Sequence, residues 1–142
     1  MRIAIWTAGL VMAFTAVVVA ATEGEVEYRQ HTMTAVGGHM QAAVDILRQK
    51  VPHNDHMSLH ADALSDLSEI APTLFPEGSE GGDALPAIWE DPEDFAERLT
   101  ALREAAAGFS TAAGSTDAAA LGEAFQALGQ ACKGCHDTYR AE

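Results

Sequence analysis

Cysteine, basic charge and strand-like alternation are all scarce in this 142-residue chain, and each scarcity removes a class of function. Only two cysteines occur, Cys132 and Cys135, so thiols cannot complete a structural zinc site, which needs about four ligands. Lys and Arg total 8 against 21 Asp and Glu, a formal net charge of −13 at pH 7. A surface that acidic repels nucleic acid and anionic membrane. It suits a partner protein with a basic patch, or an uncharged small ligand. No stretch alternates apolar and polar residues for long, which argues against a sheet. The glycine-rich "GSEGGD" (78–83) is not a phosphate loop, because no GK[ST] follows it and no strand precedes it. No serine or carboxylate constellation has catalytic spacing, so an enzyme active site is not expected.

Long apolar runs are also scarce, the exception being Ile3 to Ala21, uncharged and preceded by Met1-Arg2. Val19 and Ala21 put small residues where a signal peptidase reads, so 1–21 has the layout of a secretory signal. The competing reading is a membrane anchor, since about 20 apolar residues can span a bilayer. Thr7, Gly9 and Thr15 weaken that alternative, and the expectation is export to the periplasm with no anchor after cleavage. Residues 22–142 then form one ordinary domain, with seven basic against 21 acidic residues, or −14.

What remains is helical in rhythm. Val26, Met33, Val36, Met40, Val44, Leu47 and Val51 recur at steps built from three and four, as do Met57, Leu64, Leu67, Ala71 and Leu74. Phe95, Leu99, Leu102, Ala106 and Phe109 repeat the pattern, and Leu121, Phe125, Leu128, Cys132, Cys135 and Tyr139 close it. Each is the single stripe of an amphipathic helix. Pro52 ends the first, Asp91 and Pro92 cap and start the third, and "GSTD" (114–117) separates the third from the fourth. The expected fold is all-α, an antiparallel four-helix bundle with helices near 24–50, 55–74, 92–112 and 117–140. Two features fit this plan poorly. Gly37-Gly38 lies mid-helix, either as a tolerated kink or for close approach of a helix or planar ligand. The loop 75–86 is longer than most connections, surface slack or a cover for something.

The two cysteines stand in "CKGCH" (132–136) on the last helix. A thioredoxin-type pair wants a helix N-terminus, whereas this one lies near a C-terminus, where the dipole disfavours a thiolate. A disulfide between residues three apart closes a tiny loop and stabilises little. Covalent haem attachment fits better: C-x-x-C-H in an exported protein places both sulfurs on one helix face, with Cβ atoms ~5–6 Å apart. His136 leans over the same face, and imidazole is a usual axial ligand of haem iron. Both cysteines continue the apolar stripe, so the haem c would lie inside the bundle.

Three stretches resemble the cytochromes c prime, bacterial periplasmic four-helix-bundle c-type cytochromes: "YRQHTM" (28–33), "FPEGSEGGDALPAIW" (75–89) and "CKGCHDTYR" (132–140). They span essentially all of 22–142 in order. The resemblance implies thioethers at Cys132 and Cys135 and iron ligation by His136. It implies haem contacts for Arg29, Gln30, Glu80 and Asp83, a distal pocket walled by Met33 and Phe75, and Arg140 on the proximal side. Arg29 and Met33, four apart, share one helix face. If Met33 only packs over the iron, a five-coordinate, redox-active haem admits small gases such as NO and CO. If its sulfur ligates, the protein is a low-spin electron carrier of the cytochrome c-556 kind. Family members commonly pair through their first two helices, so a homodimer is implied. His53, His56 and His60 read as a solvated helix start, with weak copper or zinc capture as the alternative. His31 and His39 lie off the main stripe and are expected to be exposed.

Overall fold

The computed structural model describes residues 14–142, with side chains from Glu23 onward. Residues 1–13, the basic start and most of the run read as a leader, lie outside the described residues. Five α-helices follow in order: α1 (Phe14–Leu47), α2 (Met57–Ile70), α3 (Ala87–Glu90), α4 (Pro92–Ala113) and α5 (Ala118–Tyr139). Among the described residues no helix is long and apolar enough to cross a membrane. Within the described residues the first helix is already formed at Phe14, where a start near 24 was expected, and runs unbroken past the expected cleavage position after Ala21.

The helix ends follow local chemistry. Asp91 accepts a hydrogen bond from the Asp94 amide at 3.3 Å, with Pro92 in the first turn, as a capped start requires. Asp117 accepts from the amides of Ala119 and Ala120 at 2.9 and 3.1 Å and starts α5. The end of α1 differs from expectation: it stops at Leu47, well before Pro52. The Gln49 amide donates to Ile46 and the Lys50 amide to Asp45, both at 2.9 Å, with Gln49 at φ 55°. This is a Schellman closure with a non-glycine residue in the left-handed position. In the second helix Pro72, which has no N–H to donate, converts the last turn into a 3₁₀ segment, Ala71–Leu74.

Side-chain pairs fix the directions. His39 meets His60 while Arg29 meets the Leu74 carbonyl. Ser58 meets Ala113, Ser110 meets Asp62 and Arg103 meets Glu69. Phe109 meets Phe125 while Tyr139 meets Asp94. In each series one residue number rises as the other falls, so α1/α2, α2/α4 and α4/α5 are all antiparallel. The expected antiparallel four-helix bundle is the observed architecture, with α3 as a single extra turn inside the long connection.

Close approach runs from α1 to α2, from α2 to α4 and from α4 to α5, while α1 and α5 barely approach. One apolar cluster joins Ala43, Ile46, Met57, Ala61, Leu64, Ala106, Phe109 and Leu128. A second joins Ala71, Ile88, Phe95, Leu99 and Tyr139. The α1 stripe shows what sets it apart: Met33, Val36 and Met40 are half-buried and border a cavity, whereas Ala43 and Ile46, just beyond it, are sealed in the core. No second helix closes on Gly37-Gly38, because a Cβ added at either meets nothing within 4 Å. Gly37 borders the same cavity.

Candidate functional site

The gap between α1 and α5 is a cavity of about 630 Å³, within the ~300–1,000 Å³ typical of small-molecule and cofactor sites. One wall is α5 with its cap, which contribute Cys132, Cys135, His136 and Arg140; facing it, α1 contributes Arg29, Gln30, Met33 and Gly37. Leu64 and Leu67 of α2, Phe95 and Leu99 of α4, and Phe75 and Asp83 of the connection complete an apolar lining. Of the residues expected around the haem, all but one border this cavity. Glu80 is exposed and does not.

Neither thiol is cross-linked, and both are half-buried. Burial pushes the Cys132 thiol up, and burial with the neighbouring Cys132 pushes up that of Cys135, so both are held as neutral thiols rather than as a reactive redox pair. Burial, then the charge of Arg140, lowers the pKa of His136, which favours the neutral imidazole that a metal needs. Arg140 terminates α5 in extended geometry and pairs as a β-bridge with Ala84, while the Ala141 amide donates to the Asp83 carbonyl at 2.8 Å. The long connection is therefore stitched to the end of the helix that carries the cysteines.

Arg29 is 4% exposed and occupied. Its guanidinium donates to the Leu74 carbonyl at 3.1 Å, to Ser79 Oγ at 3.2 Å, and to the Ser79 and Gly81 carbonyls at 2.9 Å each. It also lies over the rings of Phe75 and Trp89, 5.1 and 5.9 Å from their centroids. The connection is thus a cover folded about one buried cation. Gly82, at φ +60°, completes it: an added Cβ would stand 2.7 Å from Gln30 Nε2. Phe75 stacks edge-on against Phe95 at 4.9 Å, and Phe95 against Tyr139 at 5.0 Å.

Sequence reasoning missed a second network below the cysteines. Tyr139 Oη donates to Asp94 Oδ2 at 2.6 Å, Arg98 Nε donates to the same carboxylate at 3.2 Å, and Arg98 Nη1 reaches the Gly134 carbonyl at 3.5 Å. The Asp94/Arg98 spacing of four was its only local signal. Buried Ser79 was missed too, since nothing in a lone serine announces a buried arginine partner.

The residues present fit a covalent haem. Two unlinked thiols three apart on one helix border a cofactor-sized apolar cavity beside an imidazole that burial favours as neutral, with Arg140 on the same lining. The family model described as Cytochrome C' matches residues 24–140. The chain belongs to the cytochrome c prime family. It is 36% identical over 124 residues to cytochrome c' of Pararhodospirillum photometricum, covering 85% of this chain and 99% of that one. It is 37% identical over 119 residues to cytochrome c-556 of Agrobacterium tumefaciens strain II Chrys, covering 82% and 97%. Among solved structures it superposes on cytochrome c prime from Shewanella frigidimarina with a TM-score of 0.80 at 35% identity, covering 85% and 97%. A nitric oxide complex of a cytochrome c prime variant from Alcaligenes xylosoxidans gives 0.79 at 32% identity, covering 85% and 97%. As a cytochrome c prime the chain has one haem c, covalent and iron-bearing, as its cofactor, and its family is one of electron-transfer and gas-binding proteins.

Proposed function

We propose that this protein is an exported, periplasmic haem c protein with a five-coordinate iron that exchanges electrons and binds small uncharged gases. Cys132 and Cys135 would form the thioethers and His136 would ligate the iron. When bound, the haem supplies a one-electron couple and an open iron position. The chain supplies the surroundings. His136 is kept neutral by burial and so presents a lone pair. Arg140 borders the cavity with positive charge suited to a propionate, while Arg29, also on the lining, adds a positive charge nearby but directs its terminal N–H groups to the connection. Met33, Val36, Met40 and Leu67 offer an apolar face without a free donor. Thr32 and Ser68, also on that lining, direct their hydroxyls to the Tyr28 and Ser65 carbonyls at 2.9 and 2.7 Å. Such a face admits NO or CO and discourages anions and water.

The observation that carries this reading is the placement of the two thiols and His136 on one wall and Met33 on the facing wall of a single apolar cavity. The nitric oxide complex of the Alcaligenes xylosoxidans protein supports gas binding here by likeness. A second reading, with the Met33 thioether as sixth ligand and a low-spin carrier function, is favoured by the 37% identity to a protein named cytochrome c-556. Adding CO to the reduced protein separates them. A high-spin spectrum that shifts with CO supports the open site; a sharp low-spin band unmoved by CO, and becoming CO-sensitive in Met33→Leu, replaces it with the second.

Redox exchange would proceed with a partner carrying a basic patch, given the acidic surface. A homodimer through α1 and α2 is consistent with Tyr28, Leu59 and Ile70, 55%, 61% and 36% exposed on those helices. A catalytic role is not proposed.

A further inference from the structure

The histidines outside the cavity are arranged differently from their order in sequence. His53 and His56 stack nearly parallel, centroids 4.9 Å apart and planes 12° apart, so their ring nitrogens cannot aim lone pairs at one point between them. His60, one turn further on, turns instead to His39 of α1, which is half-buried rather than exposed as expected. The two Nδ1 atoms stand 3.0 Å apart, with ring planes tilted by 57°. In the metal-free protein one ring donates an Nδ1 proton and the other accepts it. Loss of that proton leaves two ring nitrogens, one from each helix and 3.0 Å apart, free to turn toward one cation.

We propose that His39 and His60 form a divalent-copper site bridging α1 and α2. With metal–imidazole bonds of ~2.0–2.1 Å, nitrogens 3.0 Å apart subtend about 90–97° at the metal. That is a cis angle of tetragonal coordination, the geometry copper(II) prefers. Copper(II) also stands highest among the divalent metals for nitrogen ligands. Burial, and then the nearby His39 and His56, lower the pKa of His60, so this ring is neutral and available near pH 7. His60, though not His39, also borders a smaller cavity of about 220 Å³ with Asp45, His53 and His56. Among the described residues no three His, Cys, Asp or Glu converge as a complete ligand set, so the site is a two-histidine chelate finished by water. Its effect is to clamp the two helices that carry Met33, Met40, Leu64 and Leu67 over the cavity. The site uses no residue assigned to the haem and does not rest on the gas-binding reading.

The test is titration of the haem-loaded protein with copper(II) buffered by glycine, read by continuous-wave and pulsed electron paramagnetic resonance. One copper per chain with two coupled imidazole nitrogens is expected in the unsubstituted protein. His39→Asn and His60→Asn should each weaken binding at least about 10–100-fold, the loss seen even for outer-shell partners of a metal, and leave one imidazole. The exposed double substitution His53→Asn/His56→Asn should leave the signal unchanged. Fewer than two coupled imidazoles in the unsubstituted protein overturns the proposal without recourse to any variant. So does binding that survives in His39→Asn and His60→Asn, or that is lost with His53 and His56.

Discussion

Arg29 is the residue on which the cover of the cavity turns. Its guanidinium satisfies the carbonyls of Leu74, Ser79 and Gly81 and lies over two aromatic rings. Arg29→Ala should destabilise the protein by about 2–4 kcal/mol, because buried acceptors are left without donors, and urea unfolding would register it. Arg29→Lys should recover little, since an ammonium cannot fork to several carbonyls at once. Asp94 and Tyr139 give a pH signature. Tyr139, then Arg98, hold the Asp94 carboxyl below its ordinary 3.8. The stabilisation is complete above that value and is lost as pH falls through the depressed one. The Tyr139 phenol is pushed up from 10.0 to about 12, first by its bond to Asp94. Its contribution is complete below pH 10 and is lost as pH rises toward 12. Thermal unfolding followed across pH should show both limbs, and Tyr139→Phe should remove the alkaline one and soften the acid one. That Cys132, Cys135 and His136 share one helix face was legible from spacing alone, and all three border the cavity. The partners of Arg29 were not, because they lie 45 to 52 residues along the chain.

Among the elements, the end of α1 carries local strain. Gln49 occupies left-handed backbone at φ 55° to close the helix, a conformation that glycine adopts without a Cβ penalty. Gln49→Gly should therefore stabilise the protein by about 0.5–1 kcal/mol, measurable as a shifted denaturation midpoint with unchanged slope. The stripes of α4 and α5 were readable because each carries one unbroken apolar rhythm and an aspartate cap. The end of α1 was misplaced because a Schellman closure can use any residue able to tolerate the left-handed region, so no glycine marked it. The turn Ala87–Glu90 was missed because a single helical turn is too short to show a period.

At the scale of the whole molecule, the bundle is built around a space its own side chains do not fill. Among the described residues the four long helices approach most closely in the pairs α1/α2, α2/α4 and α4/α5, and the cavity lies between α1 and α5. Cys132→Ala/Cys135→Ala should prevent covalent attachment and lower the melting temperature by on the order of 10 °C, equivalent to about 2–3 kcal/mol. Far-UV circular dichroism should persist, with weakened near-UV signals and increased binding of a hydrophobic dye.

Sequence alone determined the class of fold, the helix start at Asp91, the break at 114–117 before the last helix and the shared face of the two thiols and the imidazole, because period, cap and spacing are properties of neighbouring residues. Tertiary structure decided which groups meet across the bundle. It gave Arg29 to the loop, Tyr139 to Asp94, and His60 to His39 rather than to His53 and His56. Those pairings depend on the register of one helix against another, which is set by how apolar side chains on different elements fit together and leaves no mark in any short stretch of chain.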